Sequence, residues 1–392
     1  MALPGWRDHL ATLAEAEEVL GLLARPANPA LEQEALRLLF LALSGGFLTT
    51  FADPDRPDFV PAVNNLLNGS MTNPDFIYGT ATVDGAGTYR ISGERGDALF
   101  LFFDIVAGGL GVMDTLGPSL GSIDGDSLTI DADGLFELLL SAERPTDWAG
   151  DWRPLDPRAR TITMRQAVYD WGRGRDPRVA IERVDRPLHH RRSTPGEVAE
   201  RLAALAAYPR RYAGLWLGVV RDWMARGLWN RFEHDDWAGR GGVTGQHYYQ
   251  GLFRLEPGYA LLLETALPAR VRYWNVQLGD LVWNTIDWVN WQSSLNGGQA
   301  RLDDDGRFRA VIALDDPGVP NWLDPGGNTE GAIMLRWTEA SDGPAPMLTP
   351  VRLDRLRNHL PHDTPAVTPA ERDDALRRRR TGAQLRRRWE GE

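Results

Sequence analysis

The chain has 392 residues, enough for two or three domains with buried cores, and its hydrophobic and charged fractions of 43% and 25% are those of an ordinary globular protein. It contains no cysteine, and all 43 basic residues are arginine, which excludes thiol catalysis, cysteine-ligated metals, disulfides, Schiff-base chemistry and a P-loop. The net charge of −11 argues against broad binding to nucleic acid.

The N-terminal region, residues 5–50, predicts two helices because its apolar residues recur at helical spacing. Its most apolar run, residues 35–51, contains Arg37 and is shorter than the roughly 20 residues that a membrane-spanning helix needs. The first ten residues lack the pattern of a secretory signal. We therefore expect buried amphipathic helices, no membrane association and a cytoplasmic location.

From Phe76 onwards the period of the apolar residues changes from helical spacing to two. This alternation predicts strands, and Asp133-Gly134 supplies a hairpin turn. The predicted strands lie at 88–92, 98–105, 127–142 and 159–170.

The second half of the chain repeats this order of helices and then strands. Residues 196–232 predict helices with a break at Pro209, and strands return from about Gly245 to Trp337. A final helix is expected at 369–389, and its arginine runs form either a contact for an acidic partner or membrane surface, or a solvated helix face, which we favour.

Residues 75–148 and 247–320 look like two copies of one pattern, because Gly134 aligns with Gly306, 172 positions later, without a gap. An internal repeat of this size indicates two related domains. We therefore predict a mainly β protein with flanking helices, made of two tandem β-sandwich or jelly-roll domains. The same shift pairs Gly79 with Gly251, Asp84 with Glu256, Ser122 with Ser294, Gly125 with Gly297, Asp131 with Asp303 and Pro145 with Pro317. The predicted units are a helical N-terminal segment (1–72), a first β domain (73–190), a helical connector (191–240), a second β domain (241–345) and a C-terminal tail (346–392).

The two copies differ most between residues 101–115, which are largely apolar, and residues 273–287, which are rich in Trp, Asn, Gln and Asp. If residues 282–292 are extended, both faces of that strand mix aromatic rings with polar groups. An unpaired buried amide costs about 1–3 kcal/mol, so this mixture favours a pocket wall, with a hydrogen-bonded network between two strands as the alternative. Candidate catalytic residues are Asp287 and Asp324. Candidate substrate-binding residues are Tyr273, Asn275, Gln277, Trp283, Asn284, Trp288, Asn290, Gln292, Asn296 and Trp322.

Two weaker motifs are set aside. Ser119 stands in a G-x-S-x-G pattern, but turn-like residues follow it where a nucleophile elbow requires a helix. A group of five potential metal ligands fits no known metal-ligand spacing, and we expect no metal and no organic cofactor. Its members are Glu233, His234, Asp235, Asp236 and His247.

Residues 240–340 carry the motifs R-Y-W-N-x-Q-L-G-D, D-x-x-N-x-Q-x-S-L-N and D-P-G-V-P-N-W. In this combination the segment resembles the bacterial family called domain of unknown function 1214, and the preceding half resembles what precedes that domain in longer members. The resemblance implies paired β-sandwich or jelly-roll domains and brings no established activity. Trp291 and Ser293 stand where the family pattern has Arg and Thr, which puts an anionic specificity in doubt.

Three functions are compatible with these residues. The favoured one is a cofactor-independent enzyme of hydrolase, lyase or isomerase type that acts on a small neutral, partly apolar molecule or sugar, with Asp287 as general acid or base. The second is a non-catalytic protein that holds a small molecule or carbohydrate between the two β domains. The third is a structural or partner-binding protein. The oligomeric state is left open, a homo-oligomer included.

Overall fold

The structure is a computed structural model that describes residues 3–23, 29–187, 192–237 and 245–386. It is mainly β, with helices before, between and after two β domains. None of the described helices is both long enough and apolar enough to cross a membrane.

The N-terminal segment forms the two expected helices, α1 (Trp6–Ala14) and α2 (Pro29–Thr50), with a 3₁₀ segment at Glu15–Leu23. The inner face of α2 is apolar and packs in one core with the helix that connects the domains. Close contact between these helices is possible because Gly46 has no side chain. A Cβ there would lie 2.8 Å from Cγ of Tyr208.

The first β domain is a sandwich of two four-stranded sheets with an apolar core between them. One sheet has the strand order β1-β7-β3-β4 and the other β6-β5-β2-β8. The strands are β1 (Phe76–Thr82), β2 (Tyr89–Glu94), β3 (Phe100–Val106), β4 (Ser119–Asp124), β5 (Leu135–Ser141), β6 (Asp151–Pro154), β7 (Thr161–Ala167) and β8 (Arg178–Arg183). The strand expected at 127–142 is shorter than predicted, because Asp131 caps a turn that β5 follows.

The connector is a single helix, α3 (Pro195–Ala225), which begins with a capping box of Thr194 and Glu197. The break expected at Pro209 is wrong, since the helix continues through it. An internal proline costs about 3 kcal/mol in an isolated helix. Here the buried face around it, which includes Tyr208 and Tyr212, packs against α2 and offsets that cost.

The second β domain repeats the first strand by strand. Its sheets have the orders β13-β12-β16-β10-β9 and β15-β14-β11-β17, which are the orders of the first domain with β9 added at one edge. The internal repeat is thus present in the topology. The strands are β9 (Glu233–Asp235), β10 (Gln246–Arg254), β11 (Tyr259–Thr265), β12 (Tyr273–Gly279), β13 (Ser294–Asn296), β14 (Phe308–Ile312), β15 (Trp322–Leu323), β16 (Glu330–Thr338) and β17 (Met347–Arg352).

Residues 282–292 do not form the extended strand on which the two-faced pattern depended. Two aspartates turn the chain instead. The Asp280 carboxylate accepts from the backbone N–H groups of Val282 and Asn284, each at 2.9 Å. Asp287 accepts from the backbone N–H groups of the residues two and three positions later. Such side-chain acceptors compete with strand pairing.

The C-terminal helix α4 (Pro369–Leu385) lies across both β domains. Arg372 Nε donates to Asp316 of the second domain at 2.9 Å. Arg386, just after the helix, forms a buried ion pair with Asp176 of the first domain at 2.8 Å. Residues 387–389 of the expected final helix lie outside the described residues. The tail thus joins the two domains through named ion pairs.

We expect Gly251→Ala to destabilise the protein by about 1–3 kcal/mol or more, because overpacked positions cost that much. A Cβ at Gly251 in β10 would lie 2.1 Å from the carbonyl oxygen of Arg231, a backbone atom that cannot swing away. Thermal unfolding measures the change. Gly218→Ala in α3 is the control, since a Cβ there meets nothing within 4 Å. Equal melting temperatures for the two variants would contradict the packing.

Candidate functional site

A cavity of about 250 Å³ lies between the two β domains, beneath α2 and α3. Its walls are the facing sheets of the two domains, through β1, β3 and β7 on one side and β10 and β16 on the other. The two helices close it with an apolar surface. A cavity of this kind at a domain interface is where small-molecule sites are most often found.

The polar part of the cavity contains the same pair of residues from each copy of the repeat. Tyr78 in β1 lies opposite Arg165 in β7, and Tyr248 in β10 lies opposite Arg336 in β16. All four side chains line the cavity. Because β1 corresponds to β10 and β7 to β16, duplication of the domain has placed two tyrosines and two arginines around one space.

The two arginines have different partners. Arg165 Nη1 donates to the Asp104 carboxylate at 2.6 Å. Arg336 donates to neutral oxygens, which are the side-chain carbonyls of Gln277 and Asn275 and the Met71 backbone carbonyl. Arg336 is only 5% exposed, and among the described residues no carboxylate forms an ion pair with it. Buried charges in proteins are normally paired with an opposite charge. The guanidinium of Arg336 is therefore a group with which an anion could form an ion pair.

Both arginines are close enough to Tyr78 to affect its pKa. Burial raises the pKa of Tyr78, although the nearby guanidinium groups of Arg165 and Arg336 both act to lower it. Burial lowers the pKa of Arg165, but the groups around it, the Asp104 carboxylate first among them, together outweigh burial, so its pKa is raised. Because the pKa of Tyr78 is raised, its hydroxyl is protonated at neutral pH.

The cavity lining also contains stacked tryptophans and two residues with buried donors that have no described partner. The rings of Trp216 and Trp283 stack with centroids 6.0 Å apart, and both line the cavity. Trp216 Nε1 and Asn73 Nδ2 are buried and have no hydrogen-bond partner among the described residues. Since buried polar groups in native proteins are usually satisfied, these two donors indicate a missing acceptor.

The backbone around the cavity is unusual. Ser70, Met71, Trp237 and Trp283 all have positive φ, and all four line the cavity. For a residue as large as Trp283, a φ of 68° is a steric outlier. The hydrogen bond from Met71 N to the Trp283 carbonyl oxygen, 3.0 Å, holds two of these residues together. Such strain is concentrated at functional sites.

Four predicted site residues, Tyr273, Asn275, Gln277 and Asn296, form a hydrogen-bonded network between the domains. Their partners lie in residues 71–75, where Tyr273 OH lies 2.6 Å from an Asp75 oxygen and Gln277 Nε2 donates to the Thr72 carbonyl at 3.0 Å. Asn296 Nδ2 donates to Asp75 at 2.5 Å, and Asn275 Nδ2 donates to the Asn73 side chain at 3.1 Å. Burial raises the pKa of Asp75 despite these donors.

The other predicted residues fall into separate places. Trp283 lines the cavity, while Asn284 donates to Asp280 behind it. Asp287 accepts from the Asn290 side chain at 2.6 Å in a turn, and the Trp288 carbonyl accepts from Arg379 of α4. None of these except Trp283 lines the cavity.

Gln292, Trp322 and Asp324 form a third group under α4. Gln292 Nε2 donates to the Trp322 carbonyl at 2.7 Å, and Asp324 N donates to the Gln292 carbonyl at 3.0 Å. Burial raises the pKa of Asp324. The predicted residues are therefore not the wall of one pocket, and catalytic roles for Asp287 and Asp324 stay predictions.

Sequence reasoning missed the cavity residues Tyr78, Asp104, Arg165, Tyr248 and Arg336. A signal was present in the repeat. The two tyrosines are 170 positions apart and the two arginines 171 apart, so each pair occupies equivalent strand positions. A fixed shift of 172 without gaps does not align them.

The two motifs set aside have ordinary surroundings. Ser119 begins β4 and lines the cavity, and the chain continues from it as a strand, not as the helix that a nucleophile elbow requires. His234 and His247 lie on the neighbouring strands β9 and β10, with ring nitrogens 3.0 Å apart. Among the described residues, no group of three or more His, Cys, Asp or Glu side chains is arranged to hold a metal.

No family model and no curated protein sequence matches the chain. Among solved structures, an uncharacterized protein from Burkholderia cenocepacia is similar, with 27% sequence identity and a TM-score of 0.83 over 89% of this chain and 97% of that chain. The VPA0106 protein from Vibrio parahaemolyticus is 10% identical, with a TM-score of 0.46 over 81% of this chain and 99% of that chain. The Burkholderia protein thus shares the two-domain β fold.

Stability is expected to fall as the pH rises from about 4 to about 7, and Asp280→Asn is expected to flatten that fall. Burial raises the pKa of Asp280 from 3.8 to about 7. Between these values the folded protein holds a proton that the unfolded chain has released, so increasing pH favours unfolding. Denaturant unfolding at several pH values measures the slope.

The substitution preserves the local hydrogen bonds. An asparagine oxygen still accepts from the two backbone N–H groups. Asn284 has a buried side-chain oxygen without a described partner, so its amide can rotate to accept the new N–H. An unchanged slope in the variant would contradict the assignment, although Asp75 and Asp324 contribute in the same direction.

Proposed function

We propose that the protein binds a small organic anion in the cavity between its two β domains. The observation that carries the proposal is Arg336, a buried guanidinium that lines the cavity and has neutral oxygens as its described partners. Asp104 is the single carboxylate among the described lining residues, against two arginines. The polar lining therefore has an excess of one positive charge.

The surrounding groups support an acceptor-rich ligand. Two residues of the lining, Asn73 and Trp216, each carry a buried N–H group without a described partner. A carboxylate fits this set well, because it accepts several hydrogen bonds and pairs with arginine through two parallel ones. The proposal follows the second of the three expected functions, a protein that holds a small ligand between the two β domains, and not the favoured enzyme with its pocket in the second β domain. The sequence analysis expected a neutral ligand, whereas the proposal is an anion. The Asn, Gln and Trp side chains that suggested a neutral ligand mostly form hydrogen bonds or packing contacts within the protein.

Arg336→Met is expected to abolish binding of the anion. Wild-type protein is incubated with a metabolite extract, desalted and denatured, and the released compounds are measured by negative-ion mass spectrometry. The wild type should release an intact anion that the variant does not, because methionine keeps the volume and loses the charge.

Arg254→Met is the matched control. Arg254 lies in the same sheet, pairs with Glu330 and is stacked over Trp229, away from the cavity. It should release the same anion as the wild type, and the melting temperatures of all three proteins report their folding. Release of no anion by the wild type, or equal release by a folded Arg336→Met protein, would overturn the proposal.

Catalysis of the hydrolase, lyase or isomerase type is the second candidate, and the raised pKa of Asp324 favours it. A carboxyl whose pKa is raised by burial is a better general acid than an ordinary aspartate. Under the binding proposal, the wild type and Asp324→Asn retain the same anion and consume nothing from the extract. A compound consumed by the wild type and left intact by Asp324→Asn would instead identify an enzyme that uses the Asp324 carboxyl.

A further inference from the structure

We propose that the anion is a monocarboxylate with an apolar, ring-bearing body, and that its carboxylate is bound by Arg336 and not by Arg165. This inference rests on the proposed function and specifies its ligand class. It follows from the way in which the two copies of the repeat have diverged around one cavity.

The strand register gives the equivalent residues. Phe102 in β3 lies opposite Arg165, and Asn275 in β12 lies opposite Arg336. Two positions further along each strand stand Asp104 and Gln277. Each of these two side chains contacts the arginine of its own domain.

The carboxylate in the first copy thus corresponds to an amide in the second. Asp104 neutralises Arg165, so the first copy contributes no net charge to the cavity. Gln277 holds Arg336 in place without neutralising it, so the second copy contributes one positive charge. Since a ligand is best bound when its charge balances that of the buried site, the cavity is matched to one negative charge.

The body of the ligand is inferred from the rest of the lining. Trp216 and Trp283 are stacked side by side, and Leu41 and Met334 also face the cavity. Flat indole surfaces pack well against rings, while their edges donate hydrogen bonds. Tyr212 is already occupied, because its hydroxyl lies 2.7 Å from Ser70 Oγ. A sugar would need several more polar partners at this end than the described lining offers.

The test measures the affinities of phenylacetate, 4-phenylbutyrate, neutral 2-phenylacetamide and dianionic phenylmalonate at pH 7 by isothermal titration calorimetry. For the wild type, at least one of the two monocarboxylates should bind more than about tenfold more tightly than the amide, because the charged ligand alone pairs with Arg336. Phenylmalonate should bind no better than phenylacetate.

Asn275→Asp adds a carboxylate to Arg336 and should weaken monocarboxylate binding by about tenfold or more. Its side-chain oxygen already lies 3.4 Å from Arg336 Nη1. The change removes the hydrogen bond that Asn275 Nδ2 donates to Asn73 Oδ1, an oxygen that also accepts from Tyr273 OH and Asp75 N, so the melting temperature of the variant is measured beside its affinity. Gln277→Glu is less suitable, because Gln277 Nε2 donates to two backbone carbonyls that a carboxylate would repel.

Asp104→Asn is the complementary variant in the other copy. It removes the partner charge of Arg165, so it should raise affinity for phenylmalonate more than for phenylacetate. Melting temperatures establish that both variants are folded.

Several outcomes would overturn the inference while the binding function stands. These are an anion released from the extract together with failure of both monocarboxylates, equal binding of the amide, or tighter binding of phenylmalonate by the wild type. Unchanged affinity in a folded Asn275→Asp, together with tighter binding of phenylacetate by Asp104→Asn, would assign the anion to Arg165. Failure of the proposed function itself is different, since the wild type would then release no anion from the extract.

Discussion

The geometry of the cavity depends on the hydrogen bonds between residues 68–75 and the second β domain. This segment precedes the first strand of the first domain, yet its backbone and side chains bond mainly to the other domain. Met71 N donates to the Trp283 carbonyl, and Thr285 N donates to the Asn68 carbonyl at 2.9 Å. The Met71 carbonyl in turn accepts from Arg336 at 2.9 Å. The same segment therefore positions the two domains and the buried guanidinium of Arg336.

Buried polar residues on this scale are stabilising only if they are nearly all satisfied, since each unsatisfied amide costs about 1–3 kcal/mol. Asp75 illustrates how this is achieved. It accepts from Tyr273, from Asn296 and from Trp171, which belongs to the first domain. A network that requires specific partners from both domains allows few alternative arrangements of the domains. An exception is Asn73 Nδ2, which has no described partner, and Asn73 is one of the residues that line the cavity.

Much of the fold could be predicted from the sequence, because the spacing of apolar residues and an internal repeat can be recognised in a single sequence. The period of two from Phe76 and the repeat at Gly134 and Gly306 lead directly to two related β domains, and the structure confirms both. The predicted helix break at Pro209 and the predicted strand at 282–292 were both wrong because contacts outside the local pattern decided the structure. Local preference was overruled in the first case by packing against α2, and in the second by the Asp280 and Asp287 side chains, which bond to the backbone. Neither effect is visible in periodicity.

The site was harder to predict, because its residues are brought together from strands far apart in the chain. Trp283 was found because it stands in a conspicuous run of Trp and Asn residues. Arg336 was not, since one arginine among 43 carries no local signal. The polar run 273–277 was rightly singled out as the place where the copies differ. Its side chains mostly form hydrogen bonds within the protein. Gln277 does not line the cavity, but it accepts a hydrogen bond from Arg336, which does.

Duplication explains why the difference between the copies matters more than either copy alone. Two identical domains facing one cavity would bring in two equal Tyr–Arg pairs, and a small ligand would then meet either two positive charges or two neutral ion pairs. The carboxylate of Asp104 in one copy and the amide of Gln277 in the other break this symmetry with a difference of one charge. This difference gives the cavity a single charged end at Arg336 and leaves the fold unchanged, since both side chains still bond to the arginine of their own sheet. A duplicated scaffold can thus acquire a directional site through one side chain that binds no ligand itself.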